Sequence, residues 1–224
     1  VDIETYGARM RLLPYNNVCE KRVLFTPQFF DPLEREILQA RIREGFVFVD
    51  IGANIGAYSL FVAMQAGTSA RILAVEPQPD IFDRLVFNIR QNPGAPIKAV
   101  DCAIADKLGE VTLFLDPRNS GESSVKIVGS GQAGAIKVSA TTLQALIEAE
   151  GYGHIDALKL DVEGAEDIIL EPFLRSAPQE LHPRLIIVED GSGRWQIDLP
   201  RLLEECGYRE IARTRLNLVY EREA

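Results

Sequence analysis

Residues 46–59 read F-V-F-V-D-I-G-A-N-I-G-A-Y-S. Phe46, Val47, Phe48, Val49 and Ile51 are the aromatic and β-branched side chains of a strand buried on both faces. Such strands belong to parallel sheets covered by helices on each side. Gly52 and Gly56 then break the apolar run, and a helix is expected from about Ala57 to Gln65. A glycine just past a strand lets the backbone turn with positive φ and lets a ligand approach without meeting a Cβ. The new helix directs its free N–H groups at whatever occupies that turn.

A glycine turn alone serves many α/β proteins simply to reverse the chain, so the next strand decides. Arg71 to Glu76 (R-I-L-A-V-E) is a second apolar strand ending in a carboxylate, followed at once by Pro77. That acid stands roughly 20 residues past the glycines, where nucleotide-binding α/β folds hold ribose hydroxyls. An ionised carboxylate accepts two hydrogen bonds side by side, which suits a free 2′,3′-diol and repels a 2′-phosphate. The dinucleotide pattern G-x-G-x-x-G fits poorly, because Asn54 and Ala57 replace its second and third glycines. Asp50 beside the turn repels phosphate but suits the sulfonium and ammonium of S-adenosylmethionine.

Three separated motifs now stand in order: V-D-I-G-A-N-I-G-A-Y-S, A-V-E-P and L-K-L-D-V-E-G-A-E. Together they resemble the FkbM family of S-adenosylmethionine-dependent methyltransferases, over about Pro27 to Glu189. The resemblance implies a Rossmann-like α/β fold with a mostly parallel central sheet, one antiparallel edge strand and helices on both faces. It also implies that Asp50, Gly52, Asn54 and Gly56 line the methionine end of the cofactor, that Glu76 holds the ribose, and that Asp101 to Ala103 flank the adenine. Against these stand plainer readings: a structural strand-to-helix turn for the first motif, and a solvated strand-end acid for Asp101.

The 224 residues suffice for one full core, and 46% hydrophobic content is ordinary for a globular chain. Residues 1–45 are read as an arm and helix packing on a methyltransferase domain at 46–224, the helix falling at Pro32 to Arg43. A formal charge of −9 argues against a nucleic-acid substrate. No apolar run reaches the ~20 residues that span a bilayer, so a soluble, cytoplasmic chain without membrane partners is expected. The chain opens on Val1 instead of Met, so it is expected to begin inside a longer polypeptide or after processing. Cys19, Cys102 and Cys206 show no C-x-x-C spacing, so neither a disulfide framework nor a zinc site is indicated.

After Glu76 the pattern gives a helix at Asp80 to Gln91, strands at Ile97 to Cys102, Glu110 to Leu115 and Ile136 to Ser139, and a helix at Thr142 to Glu150. The segment Asn119 to Gly134 is rich in glycine and serine and reads as a mobile loop. Ser123 and Ser124 in it are candidate acceptor contacts, a similar serine pair being common in the family; a plain flexible connection is the alternative. Ile155 to Asp161 is the next strand, followed by the turn V-E-G-A-E and a helix from about Ala165 to Leu170. Alternation along that strand puts Lys159 and Asp161 on one face.

Strand carboxyl ends are where open α/β sheets bind ligands, so Asp161 and Glu163 are expected to share a crevice with Gly52 and Glu76. Taken singly, each reads equally well as a turn or helix cap. Asp161 is the leading candidate to orient or deprotonate an acceptor hydroxyl, with Glu163 or Glu189 as alternates and Lys159 steadying negative charge. Arg184 to Asp190 is a further strand ending in two acids. Asp161, Glu189 and Asp190 could offer oxygens to Mg²⁺, but no further ligand spacing supports a metal and none is assigned. A helix at Leu199 to Cys206 and two strands, Tyr208 to Thr214 and Leu216 to Glu221, close the chain.

The expected reaction is methylation of a hydroxyl on a small molecule or sugar. Two other classes stay open at this level: a catalytically inactive cofactor-binding partner protein, and a nucleotide-dependent oxidoreductase. Acceptor identity and oligomeric state are not encoded in these motifs.

Overall fold

The computed structural model describes residues 1–116, 119–124 and 134–223, with side chains for 1–115 and 134–223. The N-terminal segment is more ordered than an irregular arm. It forms the antiparallel hairpin β1 (Asp2–Thr5) and β2 (Ala8–Arg11), helix α1 (Val18–Phe25), a 3₁₀ turn (Pro27–Phe29) and helix α2 (Pro32–Gln39). Alternation then begins with β3 (Val47–Ile51), α3 (Ala57–Ala66), β4 (Arg71–Val75), α4 (Pro79–Arg90) and β5 (Ile97–Val100). A second group of strands follows: β6 (Ala103–Ile104), β7 (Gly109–Asp116), β8 (Asn119–Ser124) and β9 (Gly134–Thr141). The chain then returns through α5 (Leu143–Ala149), β10 (Ala157–Leu160), α6 (Glu166–Ser176), β11 (Leu185–Glu189), α7 (Leu199–Glu205), β12 (Tyr208–Arg213) and β13 (Asn217–Arg222).

The main sheet has seven strands in the order β12-β13-β11-β10-β3-β4-β5. Its pairings are parallel from β5 to β11, and β13 runs antiparallel to both β11 and β12, one place in from the edge. From β3 the chain builds outward through β4 and β5, then crosses back to β10 on the other side. The border between β3 and β10 is therefore the switch point, outside whose carboxyl ends such sheets bind ligands.

Strict alternation along β3 divides the core. Val47, Val49 and Ile51 pack with residues of α5, α6 and α7, while Phe46 and Phe48 pack with α3 and the N-terminal elements. Each apolar side chain so buried contributes roughly 1.5–3 kcal/mol. The same alternation turns Lys159 away from Leu158 and Leu160 toward α3, where it pairs in register with Asp50.

Two expectations are corrected. Residues Asn119–Ser124 are not loop but a strand, paired antiparallel with β7 in the four-stranded sheet β6-β9-β7-β8. Backbone ladder bonds make no demand on side chains, so a glycine-serine stretch can fill an edge. Helix α6 runs past the expected stop at Leu170 and through Pro172 to Ser176. An interior proline costs about 3 kcal/mol. Burial of Phe173 and Leu174 beyond it, at 2% and 5% exposure, offsets that cost. Among the described residues no helix is long and apolar enough to cross a membrane.

Candidate active site

A cavity of about 270 Å³ opens over the carboxyl ends of β3, β4 and β10. Asp50, Gly52, Ala53 and Asn54 line it from the first turn, Glu76 from β4, Cys102 to Ile104 from the region around β6, and Lys159, Asp161, Glu163 and Glu189 from the far side. The switch point has thus brought four separated motifs to one hollow.

The first turn is held from several directions. Gly52 has a φ of +75°, and a Cβ there would overlap the carbonyl oxygen of Asp161. Glycine is required here by the neighbouring strand's backbone. Gly56, at +86°, is likewise constrained by the protein itself, since a Cβ would lie 2.7 Å from Leu85 Cδ1. Asn54 adopts a left-handed φ of +51°, tolerable for asparagine but not free of strain. Its backbone N–H donates to Glu76 Oε2 at 3.0 Å, and its side-chain oxygen accepts from Asn17 Nδ2 at 2.9 Å.

Glu76 braces this turn. Its second oxygen accepts the Gln78 N–H at 3.0 Å, so each carboxylate oxygen carries one backbone bond and keeps a further lone pair. Burial pushes the carboxyl up to about 7, against the pull of those two N–H groups. Asp50 is 1% exposed and accepts the Ser59 hydroxyl at 2.6 Å on Oδ2, while its buried Oδ1 has no hydrogen-bond partner among the described residues. Burial raises its carboxyl above the ordinary range, opposed chiefly by Lys159.

Lys159 donates to Asp161 Oδ2 at 2.9 Å, and its ammonium lies 5.0 Å from the Tyr58 ring centroid. Burial alone would lower the Lys159 ammonium, but Asp161 and then Asp50 outweigh it and raise it above its ordinary value. The lysine is therefore a fixed cation. Tyr58 in turn donates its hydroxyl to Asp31 at 3.1 Å, and Arg22 donates to the other oxygen of Asp31 at 2.7 Å.

The V-E-G-A-E turn is locked to the loop after β11. Glu166, fully buried, accepts the N–H groups of Val162 and Gly164 on one oxygen and Trp195 Nε1, at 2.7 Å, on the other. Gln196 N donates to Asp167 at 2.6 Å. Arg194 bridges Glu163 at 3.3 Å and Glu189 at 3.0 Å, and its side chain lies where a Cβ on Gly164 would be. Glu163 itself has a φ of +59°. Burial, then Asp161, Glu163 and Glu166, push the Glu189 carboxyl up to about 8, with Arg194 opposing.

Not every expected residue reaches the cavity. Asp101 is exposed and does not line it, because it sits between β5 and β6 with its neighbours Cys102 and Ala103 facing inward. Gly56 lies behind the wall, over Leu85. The backbone of Ser123 and Ser124 belongs to β8, and their side chains lie outside the described residues. Asp190 does not join Asp161 and Glu189; it accepts from Ser192 N and pairs with Arg213. Glu163 takes its place, with one oxygen from each of Asp161, Glu163 and Glu189 lying within 4.8 Å of the others. A divalent ion there would have to compete with Arg194 for two of the three acids.

Sequence reasoning missed the N-terminal wall: Val18, Cys19 and Arg22 of α1, with Phe30 and Asp31. One signal was available. Asn17-Val18-Cys19-Glu20 has capping-box spacing, and Asn17 does accept the Glu20 N–H at the start of α1. Arg194 and Trp195 follow a strand-end acid pair in G-S-G-R-W, but nothing local tells which turn they would reach.

A parallel sheet with a reversed β13, a nucleoside-sized hollow at its switch point and a strand-end acid bracing the first turn define an S-adenosylmethionine-dependent methyltransferase. The chain belongs to the FkbM methyltransferase family, residues 50–210 matching the methyltransferase FkbM domain. It is 32% identical to methyltransferase sdnD of Sordaria araneosa, over 75% of this chain and 74% of that protein. It is 28% identical to hexuronic acid methyltransferase AglP of Haloferax volcanii, over 76% of this chain and 66% of that protein. Among solved structures, the METTL16 methyltransferase domain shares the fold with a TM-score of 0.55 at 16% identity, covering 96% of this chain and 73% of that one. The family displaces both the oxidoreductase and the inactive-partner alternatives.

Proposed function

We propose that this enzyme methylates an oxygen, a hydroxyl of a sugar or other small molecule, in the cavity over β3 and β10. The observation that carries the reading is the convergence of the Glu76-braced turn and buried Asp50 with the Lys159–Asp161 pair on one hollow. The name of the relative AglP supports a sugar acceptor.

The residues fit the cofactor. The partnerless Oδ1 of Asp50 is a buried acceptor suited to a cationic group, since an unpaired buried carboxylate oxygen is costly. The spare lone pairs of Glu76 suit two adjacent ribose hydroxyls. Cys102, Ala103, Ile104 and Leu113 offer an apolar surface to the adenine, Cys102 and Ala103 being of the expected stretch. S-adenosylmethionine, when bound, supplies a methyl group on a positively charged sulfur.

The protein's part is to hold the acceptor oxygen in line and take its proton. Asp161 orients or accepts that proton, a role supported by its position on the cavity wall, and Lys159, bonded to it, steadies the negative charge. Glu163 is the alternate base. Glu189, its carboxyl raised by burial and by the neighbouring acids, is a further alternate on the same wall. Transfer of labelled methyl to a panel of sugars tests this with Asp161→Asn and Glu163→Gln. Asp161→Asn is expected to lower kcat by roughly 10²-fold with S-adenosylhomocysteine binding within a few-fold of wild type. Unchanged turnover in both variants, with the cofactor product still bound, ends the acid–base assignment.

A further inference from the structure

The family domain spans residues 50–210, yet the cavity wall extends beyond it on both sides, to Val18, Arg22, Phe30 and Asp31 before and to Leu216 and Asn217 after. The domain supplies the cofactor turn and the acids; the flanks complete the acceptor side. Within the flanks, Arg22 is a cation with open hydrogen-bonding capacity. Its Nη2 donates to Asp31 Oδ1 at 2.7 Å and to Phe29 O at 3.4 Å. Among the described residues, Nε and Nη1 have no acceptor. The side chain is 31% exposed and the guanidinium lies 5.0 Å from the Phe30 ring centroid, which restrains it without using its N–H groups.

The other cations around the hollow are committed. Lys159 is buried against Asp161, and Arg194 is held by Glu163 and Glu189. Four of the acids around the hollow are each ion-paired. Asp31 is shared by Arg22 and the Tyr58 hydroxyl, Asp161 by Lys159, and Glu163 and Glu189 by Arg194. An anion entering the acceptor side therefore meets one guanidinium with N–H donors to spare, on Nε and Nη1.

We propose that Arg22 is a specificity-determining residue that binds a carboxylate on the acceptor, so that the acceptor class is an acidic sugar or comparable hydroxy acid. This rests on the reading that the cavity holds an oxygen acceptor for methyl transfer. Nη2 belongs to both forks of the guanidinium and is taken by Asp31 and Phe29 O, so a carboxylate meets single donors on Nη1 or Nε, a charge-assisted bond stronger than the one a neutral hydroxyl compound accepts. A hydroxy acid carries on one small skeleton both a carboxylate for Arg22 and a hydroxyl for Asp161.

The test uses glucuronic acid and glucose as probes, titrated by calorimetry into enzyme saturated with S-adenosylhomocysteine. Glucuronic acid is expected to bind at least about tenfold more tightly than glucose, the ratio one charge-assisted hydrogen bond supports. Arg22→Gln should abolish that ratio while leaving S-adenosylhomocysteine affinity within about twofold, and Arg22→Lys, which keeps the charge on a differently placed donor, should restore part of it. Raised salt should shrink the wild-type ratio. Equal binding of the two sugars, binding of neither, or a preference that survives in Arg22→Gln overturns the proposal and leaves the methyltransferase reading standing. Failure of S-adenosylhomocysteine itself to bind would instead remove the reading beneath it. Circular dichroism of each variant confirms that the folded protein is being compared.

Discussion

Glu76 offers the sharpest test of the cofactor site. In Glu76→Gln one carboxylate oxygen becomes an NH₂ group that faces a backbone N–H, from either Asn54 or Gln78, each now bonded at 3.0 Å. Loss of a charge-assisted bond to a ribose hydroxyl is worth about 1.5–3 kcal/mol, which weakens binding by roughly 10- to 150-fold. Isothermal calorimetry with S-adenosylhomocysteine at pH 8 reads this directly. The pH dependence adds a second check. Because burial pushes the Glu76 carboxyl up to about 7, ligand that requires the ionised form should bind more weakly as pH falls below 7, by up to about tenfold per unit, and level off above it. Glu76→Gln should flatten that slope.

The ligand-free fold has the opposite sign. Its value of about 7 lies above the 4.5 of the unfolded chain, so the native state holds the proton longer and stability falls as pH rises from 4.5 to 7. Equal affinity for wild type and variant at pH 8, or wild-type affinity flat between pH 6 and pH 8, would refute the ribose role of this carboxylate.

Two further outcomes follow from the packing. Gly52→Ala combines a left-handed φ with overlap on the Asp161 carbonyl and should cost about 4 kcal/mol or more, whereas Gly45→Ala, at φ +72° with no atom within 4 Å, should cost only about 1 kcal/mol. Thermal unfolding of the two separates steric clash from backbone strain; similar melting temperatures would show that the β3–β10 approach is not tight. Arg194→Gln should raise acceptor KM roughly tenfold with S-adenosylhomocysteine affinity unchanged, and Trp195→Phe, which loses only the bond to Glu166, should cost about 1 kcal/mol of stability. A fall in cofactor affinity with intact acceptor KM would show that Arg194, through Glu163 and Glu189, serves the cofactor and not the acceptor.

The parts of the fold legible from sequence were those governed by local pattern. Strands β3, β4, β10 and β11 are short apolar runs ended by an acid, and the helices between them carry clear periodicity or stop signals. What escaped depends on partners distant in the chain. Helix α1 buries only Glu20 and Val23, so its sequence shows no apolar stripe; its stability comes from the Asn17 cap and from Arg84, whose guanidinium meets Glu20 at 2.8 Å across 64 residues. β8 has a loop's composition and is a strand only because β7 is there to pair with it. At Asp101 the strand-end position was read correctly but not the side it faces, since a one-residue difference in alternation exchanges inward for outward. Arg194 could be seen as basic; that it would span Glu163 and Glu189 is a property of two turns meeting, and neither turn announces the other.

The two flanks also meet each other. Glu34 of α2, 1% exposed, accepts from both Thr214 and Asn217 at the β12–β13 turn, more than 180 residues away in part, tying the N-terminal wall to the last hairpin beside Leu216. With the acceptor read at Arg22, as proposed, recognition and chemistry are carried on different stretches of one polypeptide. New acceptors can be explored by drift in this clasp while the methyl-donor cradle stays untouched, a division of labour that lets a single scaffold diversify without relearning its reaction.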